Sequence, residues 1–254
     1  VEYSAELKID GLHIVLTYEQ GRLVTAATRG DGVVGEDVTQ NLRTIDSVPL
    51  LLQEPASVIV EGEVWMSRHA FDALNKRQAE AGKPLYANPR NVAAGSIRQL
   101  DASITASRKL DVFLYDLSAG EEIKTQITEL ERLKELGFKT NPHYKHCKNV
   151  DEVIAFWKHW QGKRDDVDYW FDGIVVKVNR REWQQKLGYT GKAPRWACAF
   201  KFAATQTTTV IEGITLQIGR TGAVTPTAEL KPVLLAGTTV KRATLHNIDQ
   251  IQRL

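Results

Sequence analysis

Residues 12–28 spell a β-hairpin, and that pairing commits the start of the chain to antiparallel sheet. Leu12 to Tyr18 is a run rich in branched and aromatic residues, Glu19-Gln20-Gly21-Arg22 makes the turn, and Leu23 to Thr28 resumes the strand pattern. Strands joined by so short a connection lie antiparallel. Val58 to Trp65 is a further strand, broken by Gly62; Val112 to Leu117, Ile174 to Val178 and Trp196 to Phe202 follow it. Helices separate these strands. Ser67 caps one that runs to about Ala81 and stops at Gly82. Asn88-Pro89, a cap followed by proline at the first helical position, starts a second that ends near Leu100. Ile127, Leu130, Leu133 and Leu136 form an apolar stripe closed by Gly137, and Asn149 with Glu152 resembles a capping box opening a helix that ends at Gly162. The expected fold is α+β, antiparallel sheets flanked by helices.

After Phe202 the texture changes. Thr205 to Thr209 is polar and rich in threonine, and from Val210 onward there are only short strands with turns such as Gly219-Arg220-Thr221-Gly222. That is the pattern of a small β-barrel, about half of one. The boundary falls near 203, giving domains 1–203 and 204–254.

At 254 residues and 43% hydrophobic content the chain can bury a substantial core. A net charge of +2 does not by itself announce a polyanion partner, so any nucleic-acid contact has to come from a local basic surface. Cys147 and Cys198 fit neither a disulfide framework nor a Cys-x-x-Cys zinc site, which points to a reducing cytoplasm. No apolar run reaches membrane-spanning length, and no charged-then-apolar leader is present. Val1 stands where a whole protein would carry methionine, so the chain reads as a piece of a longer one.

The chemistry gathers at lysines beside glycines and carboxylates. Lys8-Ile9-Asp10-Gly11 ends a strand-like run. Alone it is weak, since Lys-x-Asp-Gly arises by chance in about one chain in twenty of this length. Glu6 and Lys8 point to one strand face, which Asp10 joins if the strand continues; Glu61-Gly62-Glu63 again places two carboxylates on one face. Asp172-Gly173-Ile174-Val175-Val176-Lys177 and Phe200-Lys201-Phe202 supply two more lysines. Three lysines at one site have a purpose: neighbouring cations favour loss of the nucleophile's proton and stabilise a phosphoryl group in transfer. Carboxylates there can hold Mg²⁺ and bind ribose hydroxyls.

In order along the chain, these four motifs resemble those of the covalent nucleotidyltransferases, the superfamily of DNA ligases, RNA ligases and mRNA capping enzymes. Thr28-Arg29-Gly30-Asp31-Gly32 with Gly35-Glu36-Asp37-Val38-Thr39, the stretch Asn88 to Leu100, and Ala193-Pro194-Arg195-Trp196-Ala197 resemble the bacterial NAD⁺-dependent DNA ligases in particular. The resemblance implies an adenylation (nucleotidyltransferase) domain followed by part of an OB-fold barrel. It implies that Lys8 is adenylated, that Glu6 recognises the adenine and that Tyr115 lies against it. Arg29 and Glu63 match ribose and phosphate contacts, Asp10 a carboxylate near metal and lysine, and Lys177 and Lys201 phosphate-contacting lysines. Arg90, Arg98 and Arg164 match arginines that grip phosphates at a nick in double-stranded DNA. It further implies NAD⁺ as AMP donor, Mg²⁺, a monomer in the bacterial cytoplasm, and a place in DNA replication and repair. No side chain is assigned as a permanent metal ligand, and zinc belongs to the family's C-terminal module, absent here. Also absent are the module that captures the nicotinamide half of NAD⁺ and the rest of the barrel. Trp170 stands where the family usually has an acidic residue, two before the motif Asp172.

Plain structural readings stand beside these. Lys8 alone reads as a solvated strand-end lysine, Glu61 as a solvated strand carboxylate, and Arg90 and Arg98, two helical turns apart on a shared face, as water-facing residues. Arg164 lies in a charged loop, Tyr115 reads equally well as core, His13 as structural, and Trp157 and Trp160 as packing inward. His143, His146 and Cys147 lie in a loop too loosely spaced for a metal site. An ATP- or GTP-using relative, or a scaffold that binds AMP or DNA without chemistry, are the alternatives to the NAD⁺-dependent enzyme.

Overall fold

The computed structural model describes every residue except 33, 192, 204–205, 236–237, 248–250 and 252–254. It divides into two units, Val1–Phe202 and Ala203–Leu254.

The first unit opens with β1 (Tyr3–Ile9), β2 (Leu12–Glu19) and β3 (Arg22–Thr28), then a single turn α1 (Thr39–Leu42) and β4 (Val58–Met66). Next come α2 (Arg68–Glu80), α3 (Pro89–Ser96), α4 (Ala102–Ser107), β5 (Leu110–Ala119), α5 (Gln126–Glu135), β6 (Tyr144–Cys147) and α6 (Val150–Gln161). It closes with β7 (Phe171–Val178), α7 (Arg181–Leu187), the short pair β8 (Tyr189–Thr190) and β9 (Ala193–Pro194), and β10 (Ala197–Lys201). The strands form two four-stranded sheets, ordered β10-β7-β1-β6 and β3-β2-β4-β5, in which every pairing is antiparallel.

Strand alternation divides the unit into two cores and one cleft. β2 sends Ile14, Leu16 and Tyr18 into a core with Val60 and Val64 of β4, Leu114 and Leu117 of β5, and Leu130 and Leu133 of α5. β1 sends Ala5, Leu7 and Ile9 into a second core with Ile174 of β7 and Val153 and Trp160 of α6. Trp65 and Phe113 cross from the other sheet into that second core and stack with ring centroids 4.8 Å apart. The polar faces left over, Glu6 and Lys8 on one sheet and His13, Glu61 and Glu63 on the other, line a common cleft.

The second unit carries a three-stranded antiparallel sheet, β11 (Ile211–Ile218), β12 (Val224–Leu235) and β13 (Thr238–Thr244). Among the described residues it is open, not closed into a barrel. The expected polar stretch Thr205 to Thr209 begins on a residue outside those described.

Several expectations are corrected. β4 is not broken at Gly62 but runs straight through it. The glycine is there because β5 passes so close that a Cβ would sit 2.3 Å from the Phe113 carbonyl oxygen. The helix starting at Pro89 stops at Ser96, so Arg98 lies beyond it; Asp101 then caps the separate α4 by accepting the Ser103 amide at 2.9 Å. Residues 144–147 are an edge strand paired with β1, not a loop. Asn149 accepts the Glu152 amide, but the Glu152 carboxylate takes the Lys148 amide, so the reciprocal half of a capping box is missing. On α5 the expected stripe holds at Leu130, Leu133 and Leu136, all buried, but the buried face extends further than expected. Gln126 and Glu129 are fully buried with Leu130 and Leu133, and Ile127 is only partly covered.

Candidate active site

Strand register lays out a grid on the sheet below the cleft; Glu6, Lys8, Val175, Lys177 and Ala197 of that sheet line it, whereas Asp172 and Lys201 do not. Lys8, Gly173 and Lys201 form one row across β1, β7 and β10; Glu6, Val175 and Ala199 form the next, and Ser4, Lys177 and Ala197 the third. Side chains in such rows project to one face. The glycine between the two lysines is enforced by packing, since a Cβ there would lie 2.4 Å from the Phe200 carbonyl oxygen. The cleft has a volume of about 810 Å³.

Alternation alone would turn Asp172 away from this face. The register shifts between Lys8, opposite Gly173, and Ile9, opposite Phe171, so Asp172 is the extra residue of a β-bulge. A bulge re-aims a side chain, and here it delivers the carboxylate between the two lysines. Lys201 Nζ lies 3.0 Å from Asp172 Oδ2 and Lys8 Nζ 3.7 Å from Asp172 Oδ1. Oδ1 is buried and has no hydrogen-bond partner. Asp172 completes the site in a way the sequence analysis did not assign; the signal was the Asp-Gly pair at the head of an apolar strand.

Lys177 is not part of this cluster. It stands four residues from Gly173, roughly 13 Å along the strand, and lines the same cleft at its other end. Its ammonium donates to Glu6 Oε2 at 3.2 Å and to the Tyr115 carbonyl at 3.1 Å, and lies 5.1 Å from the Tyr115 ring centroid. Ser4 Oγ donates to the other Glu6 oxygen at 3.0 Å. Lysine and glutamate are both buried, and a buried charge is tolerated when it is paired and hydrogen-bonded in this way.

The facing sheet supplies His13, Glu61, Glu63 and Tyr115. His13 Nε2 lies 2.9 Å from Glu61 Oε2, and Ser118 Oγ donates to Glu61 Oε1 at 2.6 Å. The hydrogen bond from His13 holds the Glu61 carboxyl below the usual range, with Ser118 adding to it, so Glu61 is an engaged cleft residue and not a solvated one. Among the described residues Glu63 has one hydrogen bond, a long one from the Tyr115 hydroxyl at 3.5 Å. Burial pushes its carboxyl up, against the pull of His13, Lys8 and Arg90. Arg29 is exposed and lines the same cleft.

The remaining predicted residues lie apart from the cleft lining. Asp10 follows the end of β1, its amide on the Trp170 carbonyl and its carboxylate 3.0 Å from Arg90 Nη1. Arg98 pairs with Glu36 at 2.6 Å, and the Arg164 guanidinium stacks 4.4 Å from the Phe202 ring centroid. Trp170 packs between the Arg68 guanidinium and the edge of Phe71, so an aromatic stack on α2 occupies that position. Trp160 is buried and Trp157 stacks on Phe200 at 4.9 Å. His143 lies against Trp160, His146 faces Glu2 and Cys147 is buried, and no cluster of three metal-ligating side chains occurs among the described residues. No helix among them is long and apolar enough to cross a membrane.

A family model for the NAD-dependent DNA ligase adenylation domain matches residues 1–205, and one for the NAD-dependent DNA ligase OB-fold domain matches residues 208–254. A DNA ligase of Thermotoga neapolitana is 56% identical over 99% of this chain, which covers 37% of that protein. A DNA ligase of Halalkalibacterium halodurans is 54% identical over 99% of the chain, which covers 38% of it. The chain thus spans less than two-fifths of the length of these curated relatives. Among solved structures, Pmar-Lig_PreS3 is 12% identical with a TM-score of 0.55, over 96% of this chain and 52% of that one, a likeness of fold alone.

Proposed function

The chain belongs to the NAD-dependent DNA ligase family, and on that premise we propose that its cleft transfers AMP from NAD⁺ through Lys8 to the 5′-phosphate of nicked DNA. The observation that carries this reading is the row Lys8–Gly173–Lys201 with the Asp172 carboxylate bulged between its two ammonium groups.

The Lys8 amine, having shed a proton, attacks the α-phosphorus of NAD⁺. The phosphorus–nitrogen bond forms, the pyrophosphate bond breaks, and nicotinamide mononucleotide leaves, with lysyl-AMP remaining. The AMP passes to the 5′-phosphate at the nick, and the 3′-hydroxyl then displaces AMP to close the phosphodiester. Lys201 sits at the phosphate end, where it stabilises charge on the phosphoryl group. Lys177 and Glu6 sit at the other end, where Glu6 meets the adenine and Tyr115 offers its ring; Lys177 acts on that pair more directly than on the phosphate. Glu63, the carboxylate not committed to a strong partner, and Arg29 take the ribose and outer phosphate.

Mg²⁺ fits the donors present, because it commonly uses one or two carboxylates and completes its shell with phosphate oxygens and water. Asp172, with a buried oxygen that has no hydrogen-bond partner, would hold it, whereas the Asp10 carboxylate is engaged by Arg90. When bound it neutralises charge on the transferring phosphoryl group. Arg90, Arg98 and Arg164 would serve the DNA phosphates, the first two after leaving their present carboxylate partners. The reading includes a monomeric enzyme of the cytoplasm acting in replication and repair.

Intact-mass measurement after incubation with NAD⁺ and Mg²⁺ tests the nucleophile in the full-length protein. An adduct of one AMP is expected, and Lys8→Ala abolishes it. An adduct persisting in Lys8→Ala removes the assignment, and AMP binding with no adduct in the unsubstituted protein favours a non-catalytic role.

A further inference from the structure

We propose that Gln126 and Glu129 of α5 are positioning residues that aim the Tyr115 ring into the cleft. This rests on the reading that Tyr115 meets the adenine.

The starting point is a second pair of irregularities. In the β4–β5 ladder Glu61 lies opposite Asp116 but Gly62 lies opposite Leu114, and Val60 lies opposite Leu117 but Ile59 lies opposite Ala119. Tyr115 and Ser118 are therefore each the extra residue of a bulge. The first bulge lets Leu114 and Leu117, three positions apart, both enter the core while Tyr115 and Asp116 both reach the cleft. A bulge disrupts the local ladder, and the peptide groups it disturbs need partners.

Side chains supply them from the helix below. Gln126 Nε2 donates to the Tyr115 carbonyl at 3.2 Å, beside Lys177 Nζ on the same oxygen, and the Leu117 amide donates to Glu129 Oε1 at 2.5 Å. Glu129 Oε2 meets the Arg181 guanidinium, which also reaches Asp116. Gln126 is held in turn, its side-chain oxygen receiving Gln184 Nε2 at 3.5 Å and its backbone N–H donating to the Asn179 carbonyl at 2.7 Å. Both α5 residues are fully buried. Burying a glutamine and a glutamate on a core-facing helix is unfavourable unless each is bonded, and two of their bonds go to the backbone on either side of Asp116, at the bulge. The same carbonyl anchors Lys177, so one peptide group sets both the ring and the ammonium that faces it.

The test is a double-mutant cycle on AMP binding, measured by calorimetry with this chain. Gln126→Met keeps the volume and removes the donor; it weakens AMP binding roughly two- to tenfold, the range of one lost hydrogen bond. Tyr115→Ala also weakens it, and adding Gln126→Met to Tyr115→Ala costs less than Gln126→Met does alone, the remainder being what acts through Lys177. Glu129→Met reaches the bulge through the Leu117 amide instead and is read the same way, so that either variant that melts cooperatively decides the matter. AMP affinity unchanged in the single variant, or an undiminished loss in the Tyr115→Ala background, overturns the inference and leaves the cleft assignment standing. Absence of AMP binding in the unsubstituted chain, or full affinity in Tyr115→Ala, overturns the underlying reading and the inference with it.

Discussion

Glu61 and Glu63 stand two residues apart on one face of one strand, and their partners give them different work. Glu61 is held by His13 and Ser118, whereas Glu63 is desolvated and, among the described residues, hydrogen-bonded only by the Tyr115 hydroxyl at 3.5 Å. Protonation removes the negative charge that would accept a ribose hydroxyl. Because burial raises the Glu63 carboxyl, that loss begins at higher pH than for an ordinary glutamate near 4.3. AMP affinity is therefore expected to fall on acidification, the fall beginning above the ordinary glutamate range. Glu63→Gln should bind weakly throughout and titrate less steeply. Parallel pH profiles for the two proteins would rule Glu63 out as the titrating group. The residue pattern exposed both carboxylates, but not which was free, because that depends on a histidine from another strand.

At the scale of elements, the site depends on irregularities within regular strands. Asp172 and Tyr115 both occupy bulges, and Gly62 and Gly173 sit where neighbouring backbones press too close for a side chain. Gly62→Ala would force β4 from β5 next to the Tyr115 bulge. We expect a loss of about 1–3 kcal/mol, the usual cost of overpacking, seen as a melting midpoint lowered by roughly 2–10 °C, together with weaker AMP binding. An unchanged midpoint would mean that β5 yields without strain. Helix starts were legible because their caps are local: Ser67 accepts the Ala70 amide and Asn88 the Asn91 amide. The end of α3 was not, since Arg98-Gln99-Leu100 carries no glycine or proline to mark the break, although Asp101 caps α4 just as locally. The bulge at Tyr115 left a faint trace in the spacing of Leu114 and Leu117, which strict alternation forbids.

Across the whole molecule, the cleft belongs to one unit. Both cores and every residue lining the cleft fall within Val1–Phe202. A chain ending at Phe202 should therefore melt cooperatively and bind AMP as tightly as the 254-residue chain; loss of either property would show that the second unit contributes to the first. The order of motifs along the chain was enough to place it in its family by resemblance, and spacing within a strand was enough to put Glu6 with Lys8, and Glu61 with Glu63, on shared faces, but neither singled out Asp172. Only the tertiary structure could sort the three lysines into two beside Asp172 and one beside Glu6, since that depends on register between strands far apart in sequence. It likewise decided that Asp172 belongs with Lys8, and that Asp10 and Glu36 hold the arginines assigned to DNA. A bulge or an ion pair is fixed by which backbone lies alongside, and the local sequence does not carry that information.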